Sequence, residues 1–315
     1  MNRFQKIIMS VLLLTSIWAS SIEAAQKLTL ILDWFPNVDH LPIYVARHQG
    51  FFADAGLEID IISPSETSDA LKLAASGKVD LAVSYEPQTI IAAARGLDVM
   101  VVGRLIEHPL TTLLFLKGGG INVPNDLEGK KIGYTVPGLM DVLLEAFAKV
   151  NGIQQYEAIN VGFAIVQSLV AGKVDAVMGP FKTYETVTMA QKGYDVGYFE
   201  LEKWGIPDYD ELIFVTSKQT LEKNPAAIKK FQAVIGRSID YVRKNPETAL
   251  SNYLKEVPEA DTKIETGAFK LTLPYYAASQ DHDVQRWQQF ADFALQYGLI
   301  EKKVKVADVL WTMGK

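Results

Sequence analysis

A strand that stops short and turns into a helix through a polar, aromatic loop constrains this chain more than any other feature. Residues 28–32, Leu28-Thr29-Leu30-Ile31-Leu32, form an apolar run of the length of one buried strand. Asp33, Trp34, Phe35, Pro36, Asn37, Val38, Asp39 and His40 follow. Pro36 ends a regular ladder, and Asn37 and Asp39 are loop formers. Residues 42–52 read as a helix, with Pro42 in the first turn and Gly50 near its C-terminal end. Open α/β sheets take ligands at the carboxyl ends of their strands, where this loop is expected. The competing reading puts Trp34 and Phe35 in the core and uses the polar residues as helix caps. The crowding of an indole, acids, an amide and an imidazole on one loop favours ligand contact.

The strand-then-helix step recurs along the chain. Residues 57–62, 79–83, 130–134 and 174–178 read as strands, and 70–76, 89–95, 139–151 and 163–171 as helices. Ser68 or Asp69 can cap the helix at 70, and Asn224 the long helix expected over 225–244. An internal echo links two of these steps. Gly77-Lys78-Val79-Asp80 and Gly172-Lys173-Val174-Asp175 each end a helix and open a strand, on either side of the run Gly118-Gly119-Gly120. With 315 residues the chain exceeds one small core, so two α/β lobes of similar plan are expected. Lobe 1 is assigned to 26–116 and 217–315 and lobe 2 to 117–216, with a ligand cleft between them. Two crossing strands, near 110–117 and 212–217, are expected to join the lobes and to act as the hinge. Trp287, Phe290, Phe293, Ala294 and Tyr297 fall near helical spacing and read as core.

The net charge of −6 leaves no basic footprint for nucleic acid. Arg3 and Lys6 precede an apolar run over 7–18, and small residues surround Ala24 and Ala25. That pattern reads as a signal peptide over 1–25, too short to span a bilayer, so an exported periplasmic protein without stable membrane insertion is expected. No cysteine is present, which removes disulfides, thiolate metal sites and a cysteine nucleophile. His40, His48, His108 and His282 show no metal-ligand spacing, and His48 and His282 read as surface residues. Hydrolase and phosphate-loop motifs are absent.

The segments DWFPNVDHLPIYVARHQGFFADAGLEIDI, GKVDLAVSYEPQ, LEGKKIGY and LEKNPAAIKKF, in this order, resemble the NMT1-type family of periplasmic solute-binding proteins. Members take nitrate, alkanesulfonates, taurine or pyrimidine precursors of thiamine. Asp33, Trp34, Pro36 and His40 fit the loop of the thiamine-pyrimidine branch. The resemblance implies a two-lobe periplasmic binding protein fold, no cofactor or metal, an aminopyrimidine ligand, a monomer and an ABC transporter permease as partner. A flat aminopyrimidine needs aromatic faces and edge partners. Trp34, Tyr85, Tyr184 and Tyr209 can supply the faces, and Asp33, Asn37, Glu86, Gln88, Asp208 and Glu211 the edges. His40 serves as a donor or as a cap, and the exit loop at 135–138 adds Thr135 and Gly138. Glu86 precedes Pro87, which holds its backbone extended.

Two alternatives accompany this expectation. One is a hydroxymethylpyrimidine-phosphate synthase like the fungal enzymes, which use a lysine, a histidine and a cysteine-rich iron motif. This sequence has Ser84 and Gln88 at the first pair of positions and Ile206-Pro207-Asp208-Tyr209-Asp210 at the cysteines. The other is a binding protein for an alkanesulfonate or another small solute, for which Ser84 and Thr135 are available but no arginine.

Overall fold

The computed structural model describes residues 25–311. Most of the signal peptide expected over 1–25 lies outside the described residues. The chain builds two five-stranded sheets. The first holds β1 (Gln26–Ile31), β2 (Leu57–Ile62), β3 (Leu81–Ser84), β4 (Met100–Ile106) and β10 (Leu212–Thr216), in the order β2-β1-β3-β10-β4. The second holds β5 (Thr111–Leu116), β6 (Lys131–Tyr134), β7 (Glu157–Asn160), β8 (Ala176–Phe181) and β9 (Val196–Glu200), in the order β7-β6-β8-β5-β9.

The two sheets share one plan. In each, three parallel strands are followed by two antiparallel pairings: Phe214 of β10 faces Val83 on one side and Gly103 on the other, and Leu114 of β5 faces Val177 and Tyr198. The repeated Gly-Lys-Val-Asp turns build this likeness atom by atom. Gly77 and Gly172 take left-handed φ values of 67° and 65°, which end the helix before each turn. Asp80 Oδ2 then accepts from Thr29 N of β1 at 2.8 Å, and Asp175 Oδ2 from Lys131 N of β6 at 2.8 Å. Each aspartate takes a backbone N–H of the neighbouring parallel strand just ahead of the first residue pair of that ladder, Leu30 with Leu81 and Ile132 with Ala176.

β5 therefore pairs in the second sheet and β10 in the first. On this membership we propose lobe bounds drawn in the segments 107–110 and 201–211, ahead of each strand, in place of 116 and 216. The physical reason is pairing: Leu110–Leu116 and Leu212–Thr216 read alike as apolar runs, and only long-range hydrogen bonds decide their sheets.

Local departures also have causes. The helix expected over 42–52 is broken in two, Leu41–His48 and Phe51–Asp54, by Gly50 at φ 71°. Asn224 gives no cap to Pro225–Lys244; its Oδ1 accepts from Gln26 Nε2 at 2.9 Å instead. Ser68 likewise makes no cap bond. Trp287 and Phe290 are fully buried on the helix Val284–Gln296. His282 is not on the surface: its side chain is 2% exposed, packed edge-on to Trp287 and 3.6 Å from Asp210. His48 is partly exposed and pairs with Glu256 at 3.0 Å. Among the described residues no helix is long and apolar enough to cross a membrane.

Candidate functional site

A cavity lies where the carboxyl ends of the two sheets meet. The first lobe lines it with Asp33, Trp34, Asn37, Asp39, His40 and Tyr85. The second lobe supplies Thr135, Ile165, Gly179, Phe181, Tyr184 and Glu185, and Leu212 closes it where β10 re-enters the first sheet.

The loop after β1 folds around its own polar groups. Asn37 caps the single 3₁₀ turn Val38–His40, with Oδ1 accepting from Asp39 N at 2.8 Å. Asn37 N donates to His40 Nδ1 at 3.4 Å, so the ring proton sits on Nε2. His40 Nε2 then donates to Asp33 Oδ1 at 2.8 Å, while Tyr85 Oη donates to Asp33 Oδ2 at 2.6 Å. Both Asp33 oxygens are thus occupied within the protein. Asp33 holds His40 and Tyr85 in place on the cavity wall. Burial, and then the Asp33 charge, push the Tyr85 phenol well above its ordinary pKa, which keeps it a donor.

Two other carboxyl groups face the cavity. Asp39 is fully buried; Oδ1 accepts from Thr272 Oγ1 at 3.1 Å, and Oδ2 has no partner. Burial first, and the Glu185 charge second, raise its pKa well above the carboxylate range. Glu185 comes from the other lobe. Burial pushes it up to about 7, although Phe181 N donates to Oε2 at 2.7 Å. The aromatic walls are Trp34, Tyr85, Phe181 and Tyr184. No lysine or arginine lines the cavity among the described residues. Gly179 permits the narrowest approach. Its φ is 124°, and a Cβ there would run into the Thr135 side chain.

Contacts between the lobes frame the site. Tyr184 Oη donates to Glu265 Oε1 at 2.7 Å, and Thr67 Oγ1 donates to the Thr135 carbonyl at 2.7 Å. Trp34 and Phe35 of one lobe each pack against Phe163 of the other, with ring centres 4.5 Å apart.

The structure thus brings together Asp33, Trp34, Asn37, His40, Tyr85, Thr135 and Tyr184 of the sequence expectation. The others stand elsewhere. Glu86 Oε2 accepts from Asp210 N at 2.7 Å, tying the β3 exit to the second crossing. Gln88 accepts from Ser84 Oγ at 3.0 Å, and Gly138 N donates to Asp141 at the start of Met140–Asn151. Asp208 pairs with His108 at 3.0 Å and with Arg286 at 2.9 Å. Tyr209 is buried against Phe290. Glu211 accepts from Leu110 N, Thr111 N and Thr111 Oγ1 at 2.6–2.7 Å. The acids of the crossings are held by backbone and arginine donors, which removes them from the cleft.

Sequence reasoning missed Asp39, Ile165, Gly179, Phe181, Glu185 and Leu212 as lining residues. Asp39 was visible as a loop former inside the first loop. Gly179 and Phe181 were visible as the exit of a strand that echoes β3.

The sequence profile of the NMT1/THI5-like family matches residues 37–249. The chain belongs to this family. A member from Haemophilus influenzae named for thiamine biosynthesis is 38% identical over 90% of this chain and 91% of its own. The formylaminopyrimidine-binding protein of Halalkalibacterium halodurans is 32% identical, over 77% of this chain and 74% of its own. A 4-amino-5-hydroxymethyl-2-methylpyrimidine phosphate synthase of Saccharomyces cerevisiae is 28% identical over 88% and 85%. The alkanesulfonate-binding protein SsuA of Xanthomonas axonopodis pv. citri, solved with MOPS bound, aligns with a TM-score of 0.72 at 16% identity, covering 90% of this chain and 98% of that one. This NMT1/THI5-like chain therefore has the two-lobe α/β fold of periplasmic binding proteins.

Proposed function

We propose that the protein is the periplasmic substrate-binding component of an ABC importer, and that its cavity holds a pyrimidine precursor of thiamine of the formylaminopyrimidine or hydroxymethylpyrimidine type. The observation that carries this reading is the cavity wall itself. Aromatic faces from Trp34, Tyr85, Phe181 and Tyr184 surround a space that also receives the carboxyl groups of Asp39 and Glu185. A flat, nitrogen-rich ring with N–H donors at its edge suits that wall. A sulfonate would meet two carboxyl groups and no cation among the lining residues, at a cost that rises in a dry site. The likeness to a formylaminopyrimidine-binding protein supports the same ligand class. The partner on this reading is a membrane permease, and the protein acts as a monomer without cofactor.

The synthase reading requires a lysine amine free to form a Schiff base in the site. Ser84 and Gln88 face each other instead, and the buried Lys182 of the second lobe is held. Lys182 Nζ donates to Glu200 at 2.9 Å and to Glu202 at 2.8 Å. Burial alone would lower its pKa, but the hydrogen bonds to Glu202 and Glu200 outweigh that and raise it. Calorimetric titration with formylaminopyrimidine and with MOPS, beside mass spectrometry of ligand released from protein purified without denaturation, tests the proposal. Saturable one-to-one binding of the pyrimidine is expected. Binding of MOPS alone, or single-turnover production of hydroxymethylpyrimidine from added pyridoxal phosphate, would overturn it.

A further inference from the structure

We infer that Asp39 is the specificity-determining residue of the cavity: its free carboxylate oxygen selects ligands that present an amino group over those that present a ring carbonyl at the same position. The inference rests on the reading of the cavity as a pyrimidine site and adds which edge of the ring is read, and by what.

Three observations meet at this residue. Asp39 is fully buried, so bulk water does not supply partners for it. Its Oδ1 is fixed by the Thr272 hydroxyl at 3.1 Å, which sets the plane of the carboxyl group. Its Oδ2 has no protein partner and belongs to a group lining the cavity. The other carboxyl groups on the wall differ in this respect. Asp33 is occupied at both oxygens by His40 and Tyr85, and Glu185, held at Oε2 by Phe181 N, is only partly buried, so water can reach it. A buried acceptor without a donor is costly, and a ligand N–H that reaches it recovers that cost. An oxo ligand instead turns lone pairs toward the same oxygen. The site then gains nothing and adds repulsion, which is how a polar site rejects an isostere. Burial raises the Asp39 pKa, and a ligand N–H donating to Oδ2 opposes that shift by stabilising the ionised carboxylate, which an oxo ligand cannot do.

The test uses the purified protein, 4-amino-5-hydroxymethyl-2-methylpyrimidine, and its oxo counterpart with a ring carbonyl in place of the amino group. The wild type is expected to bind the amino compound at least ~10-fold more tightly than the oxo compound, the lower end for one buried hydrogen-bonding pair. Asp39→Asn, which keeps the volume and offers a donor, is expected to lose ~10-fold or more for the amino compound and to hold or gain for the oxo compound. The ratio of the two affinities is the readout, because a merely structural defect lowers both together. Thr272→Val, isosteric and not among the lining residues, releases the carboxyl group and is expected to reduce the ratio severalfold; it serves as the test if Asp39→Asn does not fold. A ratio unchanged in the folded variant would overturn the inference while leaving the pyrimidine site standing. A wild type that binds neither compound would overturn both.

Discussion

Trp34 is half-buried, on the first loop, with Phe163 of the opposite lobe against its ring. Its position separates a ligand contact from a core residue in one experiment. Trp34→Ala is expected to weaken pyrimidine binding by about 1–3 kcal/mol, the range for stacking on a base. The ligand-free variant should melt close to the wild type, because the removed ring borders the cavity. A fall of about 3–5 kcal/mol in stability with binding intact would instead mark Trp34 as core. Glu265 shows the electrostatic side of the same scale. It is buried, accepts from Tyr184, and leaves Oε2 without a partner. Burial pushes its pKa from the ordinary 4.5 up to about 7. The folded state keeps the proton longer than the unfolded chain does. The resulting stability is therefore complete below about pH 4.5 and is lost as pH rises through 7, on the order of 3 kcal/mol in all. Glu265→Gln cannot ionise and still accepts from Tyr184. Its unfolding free energy, followed by urea titration, should decline less between pH 5 and pH 8 than that of the wild type. Equal declines would remove Glu265 from the pH response. At this scale the sequence was partly legible. Asp33, Trp34, Asn37 and His40 lie side by side on the cavity wall because their contacts are local, within seven residues for Asp33 and His40. Glu86 and Glu211 look like cleft acids in sequence, but their donors lie 124 and 101 residues away.

The elements most exposed to this limit are the two crossings. The strands before them were legible from alternation and from the Gly-Lys-Val-Asp turns, whose aspartates bind a neighbouring strand in both sheets. What pins the crossings was not legible, since it assembles from four separated segments. Asp210 on the second crossing accepts from Trp287 Nε1 at 2.8 Å, from Arg104 at 3.3 Å and from Arg286. Burial works to raise its pKa, and His282, Arg286 and Arg104 outweigh it and lower the value. Arg104 is itself buried, and removal of the acid leaves it Glu107 at 3.4 Å as its only carboxylate partner among the described residues. Asp210→Ala should cost about 3–5 kcal/mol of stability, measured by urea unfolding. A cost below about 1 kcal/mol would show that the cluster does not hold the crossing.

The whole molecule is two similar lobes meeting over a cavity, with few polar contacts bridging it. Tyr184 to Glu265 and Thr67 to the Thr135 carbonyl join the lobes on the cavity side, while the crossings join them behind. A lobe pair of this kind closes when the closed form is favoured by a few kcal/mol, and each bridging hydrogen bond supplies about 1 kcal/mol of that. On the proposed reading a ligand in the cavity would contact both lobes at once, through Trp34 and Tyr85 on one side and Phe181 and Tyr184 on the other. Removing both bridges by Tyr184→Phe and Thr67→Val therefore shifts the free protein toward the open form without touching either core. Small-angle scattering should report a larger radius of gyration for the ligand-free double variant than for the ligand-free wild type. Saturating pyrimidine should bring both to the same smaller value, because binding energy replaces the lost bridges. The apparent affinity should drop by roughly 5–30-fold, the population cost of closing without two hydrogen bonds. Superimposable scattering from both proteins, with and without ligand, would mean that these contacts do not govern closure. The lobes would then be held at their present separation by other contacts, among them Trp34 and Phe35 against Phe163 and Lys149 Nζ donating to the Tyr297 carbonyl at 3.0 Å.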